Sequence, residues 1–581
     1  MAIARHPLKV ATALGAAQQH LKIKYLLHKR RKLRLPRMKY QCKLGARRLR
    51  AAITACMLLA ACALSGCAAV SPYANFPKTA SVSIVHPEST VLGRQFAAEA
   101  RQHADASGYR LISVGIDGFR ARMEMIEAAR ESLDLQYYIF RGDETGRLLT
   151  AALRRAAGRG VRIRVLVDDG DTEQGDEQLL QLAVFPKVEI RVFNPYPYRG
   201  HSHLLRNLTF LLHKSQLDYR MHNKLIVADG AVALIGGRNI GNEYFQVDPQ
   251  SQFADEDTFV AGPMVTQLAH EFDQFWNSDL AIPTAAFGAA NSKDTGIESR
   301  AGHERDSQGS RPQRVAPIDY AALLATGGPY SGITAGRIPL VWASAELVYD
   351  SPDKKKVEED AARGQLIARP VLAAARAVQS ELLMITPFFV PGPDELQLLE
   401  SLRGRQARVR ILTNSLESNP QIAAQSGYKH YRLPLLNAGV QLYEIRSLLG
   451  NVRGSGETAH ISRFGHYALH GKLYVFDRRK VFVGSMNFDQ RSEHINTEMG
   501  LIIGSPELAQ QTAARFDEMV RPENRFQVEL GPPSAPGRRP HLEWHTTEAG
   551  QEVVYTREPA RSNWQRFKDT VLSWLPIDRE L

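Results

Sequence analysis

The sequence predicts an α/β protein made of two duplicated domains. Each is a mixed, largely parallel sheet flanked by helices, and the two pack as a pseudo-twofold dimer within one chain. Three observations carry this. One internal repeat aligns at a constant spacing, strands alternate with helices inside each copy, and one spaced skeleton of His, Lys, Asp, Gly and Asn occurs once per copy. At 581 residues the chain is also too long for one ordinary core.

The repeat is read by subtraction. Placing "ESLDLQYYIF" (from Glu131) beside "QSELLMITPFFV" (from Gln379), and "VRIRVLVDD" (from Val161) beside "VRILTNS" (from Val409), pairs 132 with 380 and 161 with 409. His222 pairs with His470 and Asn239 with Asn487, and every difference is 248. Such a repeat marks a duplicated domain.

The elements follow in the same order in both copies. A helical stretch comes first ("GFRARMEMIEAARESL" from Gly118; "RPVLAAARAVQSE" from Arg369), then an apolar strand. In "ETGRLLTAALRRAAGRG" (from Glu144) Leu and Ala recur at three and four residues, which predicts a helix. Val161, Ile163, Val165 and Val167 alternate, which predicts a strand, and "KVEIRVF" and "GVQLYEI" add a further strand per copy. Alternation of strand and helix predicts a largely parallel sheet. The expected boundaries are 1–67 for a signal segment, 68–110 for an N-terminal linker, 111–282 and 339–523 for the two domains, 283–338 for a Gly-, Ser- and Pro-rich flexible linker, and 524–581 for a C-terminal tail with an amphipathic helix.

Charge and cysteine usage limit the function classes. Residues 1–50 hold 15 Lys and Arg and no acid, and subtracting them from the total of +12 leaves −3 for the rest. Overall charge therefore gives no footprint for a nucleic-acid partner. The cysteines are Cys42, Cys56, Cys62 and Cys67, so the folded body has no disulfide framework. A basic segment ending "GARRLR", the apolar run "AAITACMLLAACAL" and then "SGC" make a charged region, a short hydrophobic region and a small-residue processing site. Leu64 to Cys67, "LSGC", resembles a bacterial lipobox, which implies lipidation of Cys67. Ala68, rather than Asp, follows it, which implies sorting to the outer membrane of a bacterial envelope, facing the periplasm. The other readings are an uncleaved anchor or a basic cytosolic tail. Met38 would open a more ordinary signal peptide than Met1.

The skeleton carries the chemistry. His222 and Lys224, and likewise His470 and Lys472, are two apart and would project from one face of a strand. A second strand then ends at Gly and reaches Asn239 or Asn487. Packed face to face, the copies would give one site two His, two Lys and two Asn. That set suits a phosphodiester: ammonium and amide groups stabilise the charge that spreads over the nonbridging oxygens. One imidazole can attack phosphorus; the other can protonate the leaving alcohol and then activate the acceptor. The lysines already supply positive charge, so neither metal nor other cofactor is expected. His201, His203 and His213 have spacing too weak for a metal site and are read as loop residues.

Both skeletons read H-x-K-x4-D-x6-G-[GS]-x-N and resemble the phospholipase D superfamily, over about 111–282 and 339–522. The resemblance implies one active site per chain. His222 is cast as nucleophile and His470 as acid and base, a weaker assignment than their membership. Lys224, Lys472, Asn239 and Asn487 bind phosphate. Asp229 and Asp477 complete the motif and are read as structural partners at strand ends rather than proton carriers. Each His needs a carboxylate on its far nitrogen. Glu498 fits in copy two. In copy one Asp255, seven before Gly262, is chosen over Asp257; the alternative for these acids is a solvated charge run. Copy one departs from copy two in having Gly237 where Ser485 stands.

Within the superfamily, "GIDGFRARMEMIEAARESLDLQYYIF", "GGRNIGNEYF" and the tail from His541 resemble the bacterial cardiolipin synthase C-like branch. That implies phosphatidyl transfer to an alcohol such as the glycerol head of phosphatidylglycerol, with phosphatidylethanolamine and cardiolipin as further lipid partners and no obligate protein partner. A phosphodiester hydrolase, phospholipase or nuclease, is the alternative; an idle lipoprotein scaffold is disfavoured by the intact His, Lys and Asn. In the tail, Trp564, Phe567, Val571, Leu572, Trp574 and Leu575 suit either a membrane interface or a helix packed on the domain.

Overall fold

In the computed structural model the described residues are 73, 75–103, 106–170, 179, 181–197, 209, 214–248, 251–287, 327–448, 466–533 and 540–574. The segment with Cys67, the loop histidines His201, His203 and His213, and residues 288–326 of the linker lie outside them.

Each half carries one large sheet. The first half contributes β1 (Ser107–Ile112), β2 (Ser132–Tyr137), β3 (Arg162–Asp168), β4 (Val188–Phe193), β5 (Leu225–Ala228), β6 (Val232–Gly236), β7 (Ser251–Ala254), β8 (Asp257–Ala261) and β9 (Ala281–Pro283). After β10 (Val341–Ala343), the second contributes β11 (Ala345–Tyr349), β12 (Glu381–Ile385), β13 (Phe389–Val390), β14 (Arg408–Asn414), β15 (Gln441–Ile445), β16 (His466–Leu469), β17 (Lys472–Phe476), β18 (Lys480–Gly484), β19 (Phe488–Asp489), β20 (Met499–Ile503), β21 (Arg525–Leu530), β22 (Leu542–Glu548) and β23 (Gln551–Tyr555). The repeat appears as one strand order used twice: β8-β6-β5-β2-β3-β4 in the first sheet and β20-β18-β17-β12-β14-β15 in the second.

Within the two large sheets, only β2, β3 and β4, and their counterparts β12, β14 and β15, run parallel. The sheets are therefore mixed rather than largely parallel. The cause is local. The helix Glu144–Gly158 carries the chain back over the sheet between β2 and β3, as a parallel pair requires. Asp229 and Gly230, both at positive φ (50° and 63°), instead turn β5 straight into β6. Three residues, 229–231, separate the paired Ala228 and Val232, and Asp and Gly suit the two positions of positive φ that let Ala231 N–H close the turn on Ala228 O at 3.0 Å.

The sheets bury both faces. Helices Gly115–Ala128 and Glu144–Gly158 cover the outer face of the first, with Phe119, Met125 and Leu153 against Leu133, Leu135 and Val165. Helices Ala368–Arg376 and Pro393–Gly404 do the same for the second, with Leu372 and Leu399 near Leu382 and Ile411. The remaining faces share one central core. Leu225, Val227 and Ile235 of the first half join Leu473, Val475 and Val483 of the second, with Phe272 and Phe516 from the helices Met264–Asn277 and Pro506–Met519.

Several expected boundaries move. Residues 91–110, expected within a linker, form the helix Val91–Gln102, capped by Thr90, and the first four residues of the strand β1. β10 lies beyond the expected linker end yet joins β1 in the first sheet; the chain then passes through Ser344 into β11 of the second. The expected tail supplies β21, β22 and β23, which extend the second sheet. The strands β10, β22 and β23 have no counterpart in the other copy, so comparing the copies could not reveal them. Among the described residues no helix is long and apolar enough to cross a membrane.

Candidate active site

The backbone builds the site by exchanging strand ends between the halves. β16 runs parallel to β7, pairing Leu469 with Ala254, and the next residues on each side are His470 and Asp255. Met221 bridges Thr497 in the same sense, and the next residues are His222 and Glu498. The peptide N–H of His470 donates to Ala254 O (2.7 Å), and that of His222 to Thr497 O (2.9 Å). Each histidine thus lies beside a carboxylate of the other half: His222 Nδ1 is 2.8 Å from Glu498 Oε2, and His470 Nδ1 is 2.6 Å from Asp255 Oδ2. Asp257, the other candidate, instead holds Arg122 and Arg238.

The pairing displaces both histidines from the expected position. They stand just before β5 and β17, not on them, because the N–H of each is taken by the other half. Lys224 and Lys472 still share the site: each ammonium donates to the carbonyl of its own histidine. The Asn239 side chain accepts from Ile139 N–H (3.2 Å) and donates to the Tyr244 hydroxyl (3.0 Å). The Asn487 side-chain oxygen is buried without a partner, a cost that is worth asking a ligand to explain.

The charges are crowded and dry. His222 and His470 are only 7% and 9% exposed. Burial, then the ammonium groups of Lys224 and Lys472, holds the His222 imidazole well below its ordinary pKa. Burial and Lys472 bring His470 down to about 3. Burial lowers Lys472 to about 8 against the pull of Asp255 and Glu498, and takes Lys224 well below the lysine range. Burial also pushes Glu498 up to about 7, against Lys224 and the Ser485 hydroxyl. Burial opposes the ionisation of Asp255, but His470 and Lys472 outweigh it and keep this carboxyl below its usual range. With a carboxylate on each Nδ1, a neutral ring donates Nδ1–H and keeps its lone pair on Nε2. The site therefore gathers two imidazoles that burial holds in the neutral form, two buried lysines and the two carboxylates that face the rings.

Two motif members lie elsewhere. Asp229 and Asp477 sit in the hairpin turns at the opposite ends of β5 and β17 from the histidines. Asp229 accepts from the N–H groups of Arg130, Glu131 and Ser132, and Asp477 from those of Gln379, Ser380 and Glu381. Neither is in the site, in keeping with a structural role.

Other neighbours were not anticipated. The Tyr138 ring meets the His222 ring edge-on at 5.1 Å; Tyr244 does so for His470 at 5.1 Å, and Phe253 stacks on His470 at 5.4 Å. Ser485 and Ser492 donate their hydroxyls to Glu498. Asp350, held by Lys354 at 2.9 Å, accepts the Glu498 N–H. Tyr138 and Tyr244 occur within repeated stretches, but no spacing rule singles them out. Among the described residues no cluster of metal ligands is present.

Comparison with known proteins shows the family. The family described as "Cardiolipin synthase, PLD-like domain" matches twice, at residues 123–276 and 371–520. Cardiolipin synthase C of Escherichia coli (strain K12) is 34% identical over 82% of this chain and 97% of its own length. The major cardiolipin synthase ClsA of Bacillus subtilis (strain 168) is 24% identical over 72% of this chain and 70% of its own length. With two copies of the domain and a site shared between them, the chain belongs to the PLD-like cardiolipin synthase family.

Proposed function

We propose that this protein is a phosphatidyltransferase that moves a phosphatidyl group through a phosphohistidine to the alcohol of a second lipid, such as phosphatidylglycerol. The observation that carries the reading is the crossed pairing of His222 with Glu498 and of His470 with Asp255, each at hydrogen-bond distance and 276 and 215 residues apart in sequence.

In the first step Nε2 of His222 attacks phosphorus and forms a P–N bond, while the P–O bond to the donor's alcohol breaks. His470 gives its proton to that alcohol. In the second step His470 removes the proton of the acceptor alcohol, whose oxygen attacks phosphorus as the P–N bond breaks, and His222 is regenerated. The low proton affinity of both rings suits a nucleophile. A bound phosphodiester places negative charge beside His470 and raises its affinity for the proton it must donate. Lys224 and Lys472 offset the phosphoryl charge. The side-chain amide N–H groups of Asn487 and Asn239 are the donors to the phosphoryl oxygens.

The substrate must be presented by a membrane, and tethering through lipidated Cys67 in the bacterial envelope is part of this proposal; mass spectrometry of the mature N-terminus tests it, and a chain starting upstream of Cys67 refutes it. For the reaction, the purified protein is incubated with labelled phosphatidylglycerol vesicles, with and without phosphatidylethanolamine. Labelled cardiolipin is expected. Phosphatidic acid as sole product would mean that water, not an alcohol, resolves the intermediate.

A further inference from the structure

We propose that the C-terminal helix Asn563–Leu572 docks the enzyme on a phospholipid bilayer through an outward stripe of Trp564, Phe567, Val571 and Trp574, placing the rim of the active site at the lipid surface. This rests on the reading above that the substrate is a bilayer lipid.

The helix is mounted with its polar side inward. Gln565 and Asp569 are buried. Gln565 Nε2 donates to Leu416 O at 2.5 Å, Lys429 Nζ to Asp569 Oδ2 at 2.7 Å, and the His430 ring contacts Ser573 O at 3.0 Å. The apolar residues, at spacings of three and four, face water: Trp564 is 61%, Phe567 56% and Trp574 77% exposed. These are the exposed Trp and Phe residues among those described. A helix that merely packs on a domain turns its apolar stripe to the core; here the contacts that hold the helix are hydrogen bonds and an ion pair, which leave the stripe for another partner.

Composition and place identify that partner. Trp564 stacks with Phe567 at 5.3 Å and has Lys568 Nζ 5.3 Å from its ring centroid. Among the described residues 557–574, Arg557, Arg561, Arg566 and Lys568 are the cations, whereas the acids Glu558 and Asp569 are buried. Aromatic rings with a cationic border match the headgroup layer of an anionic bilayer. The mount also lies on the catalytic rim. Leu416 follows Asn414 by two residues, and the Asn414 side chain holds both the N–H and the carbonyl of Leu469, next to His470. The stripe and the histidine thus share one end of the second sheet.

The test uses the full-length protein and vesicles of phosphatidylglycerol and phosphatidylethanolamine with brominated acyl chains, which quench tryptophans that enter them. Of the other three tryptophans, Trp276 and Trp544 are buried, and Trp342 is half-buried and stacked on the His103 ring at 4.9 Å. Quenching should occur in the parent and disappear in the W564F/W574F variant; unchanged quenching in the variant overturns the proposal. F567D/V571D should lower turnover of vesicle lipid by about tenfold or more, with turnover of a monomeric short-chain lipid unaltered. Equal turnover of vesicle lipid by parent and variant also overturns it, as does a lipid-free dimer that F567D/V571D converts to monomer, because the stripe would then face a second copy. If the parent turns over neither lipid, the transferase reading fails while the quenching still decides the docking.

Discussion

Asp255 and Glu498 differ by one methylene, and the residue beneath each carboxylate differs to match. A Cβ on Gly237 would come within 2.8 Å of Asp255 Cγ and closer still to Oδ1, whereas Ser485 uses its hydroxyl to hold Glu498. The Gly/Ser departure between the copies is thus tied to the acid each uses. Gly237→Ser should push Asp255 off His470 and lower kcat by about 10–100-fold with the fold retained by circular dichroism. An unchanged kcat would remove Asp255 from its orienting role. At the histidines, His222→Ala should abolish turnover of every substrate. His470→Ala should recover part of its loss with an activated leaving group, on the order of the 10²–10⁴ that general acid catalysis contributes. Label trapped on His470 in the His222 variant, with none on His222 in the reverse case, would exchange the roles. The pH profile follows from Lys472, whose pKa is lowered to about 8 by burial. Its charge is present below that value and lost above it, so kcat/KM should fall as pH rises through about 8. The bound anion favours the ammonium form, so kcat should hold to higher pH; a free-enzyme profile flat to pH 10 would count against this.

At the scale of elements, the hairpins decide where the motif aspartates go. Asp229 is fully buried and receives three backbone N–H groups from the residues that enter β2. Asp229→Ala would leave those donors unsatisfied, with an expected loss of about 2–3 kcal/mol, read as a lower Tm. The folded fraction should keep its specific activity. Activity lost without a change in Tm would instead return Asp229 to the chemistry. The motif made the strand-end place of Asp229 legible in sequence, and the alternation of Val161, Ile163, Val165 and Val167 made β3 legible. The direction of the sheet was not: an apolar strand reads the same whether its neighbours run parallel or antiparallel, and only the helix Glu144–Gly158 against the turn at Asp229 separates the cases.

At the scale of the molecule, neither half contains a complete histidine–carboxylate pair. Residues 73–287 lack Glu498, and residues 327–574 lack Asp255; each would also expose its part of the shared core. Each half expressed alone should be inactive, and co-expression should restore activity. Full turnover by the first half alone would show that one motif suffices. The pH profile of such a half would carry no limb from Lys472.

The sequence alone determined the duplication, the two sets of His, Lys and Asn, and the phosphodiester chemistry they suit, because residue type and spacing survive in one dimension. It also supplied Asp255 and Glu498 as candidates. That each serves the histidine of the other half was decided only by the tertiary structure. β7 and β16 are 215 residues apart, and nothing in either strand's composition names its partner. The tail shows the same division. Its apolar spacing is plain in sequence, but whether that face turns to the core or to water depends on what lies beneath. There Leu416 O and Lys429 select the side bearing Gln565 and Asp569, because buried polar groups must find partners, and the tryptophans are left facing out.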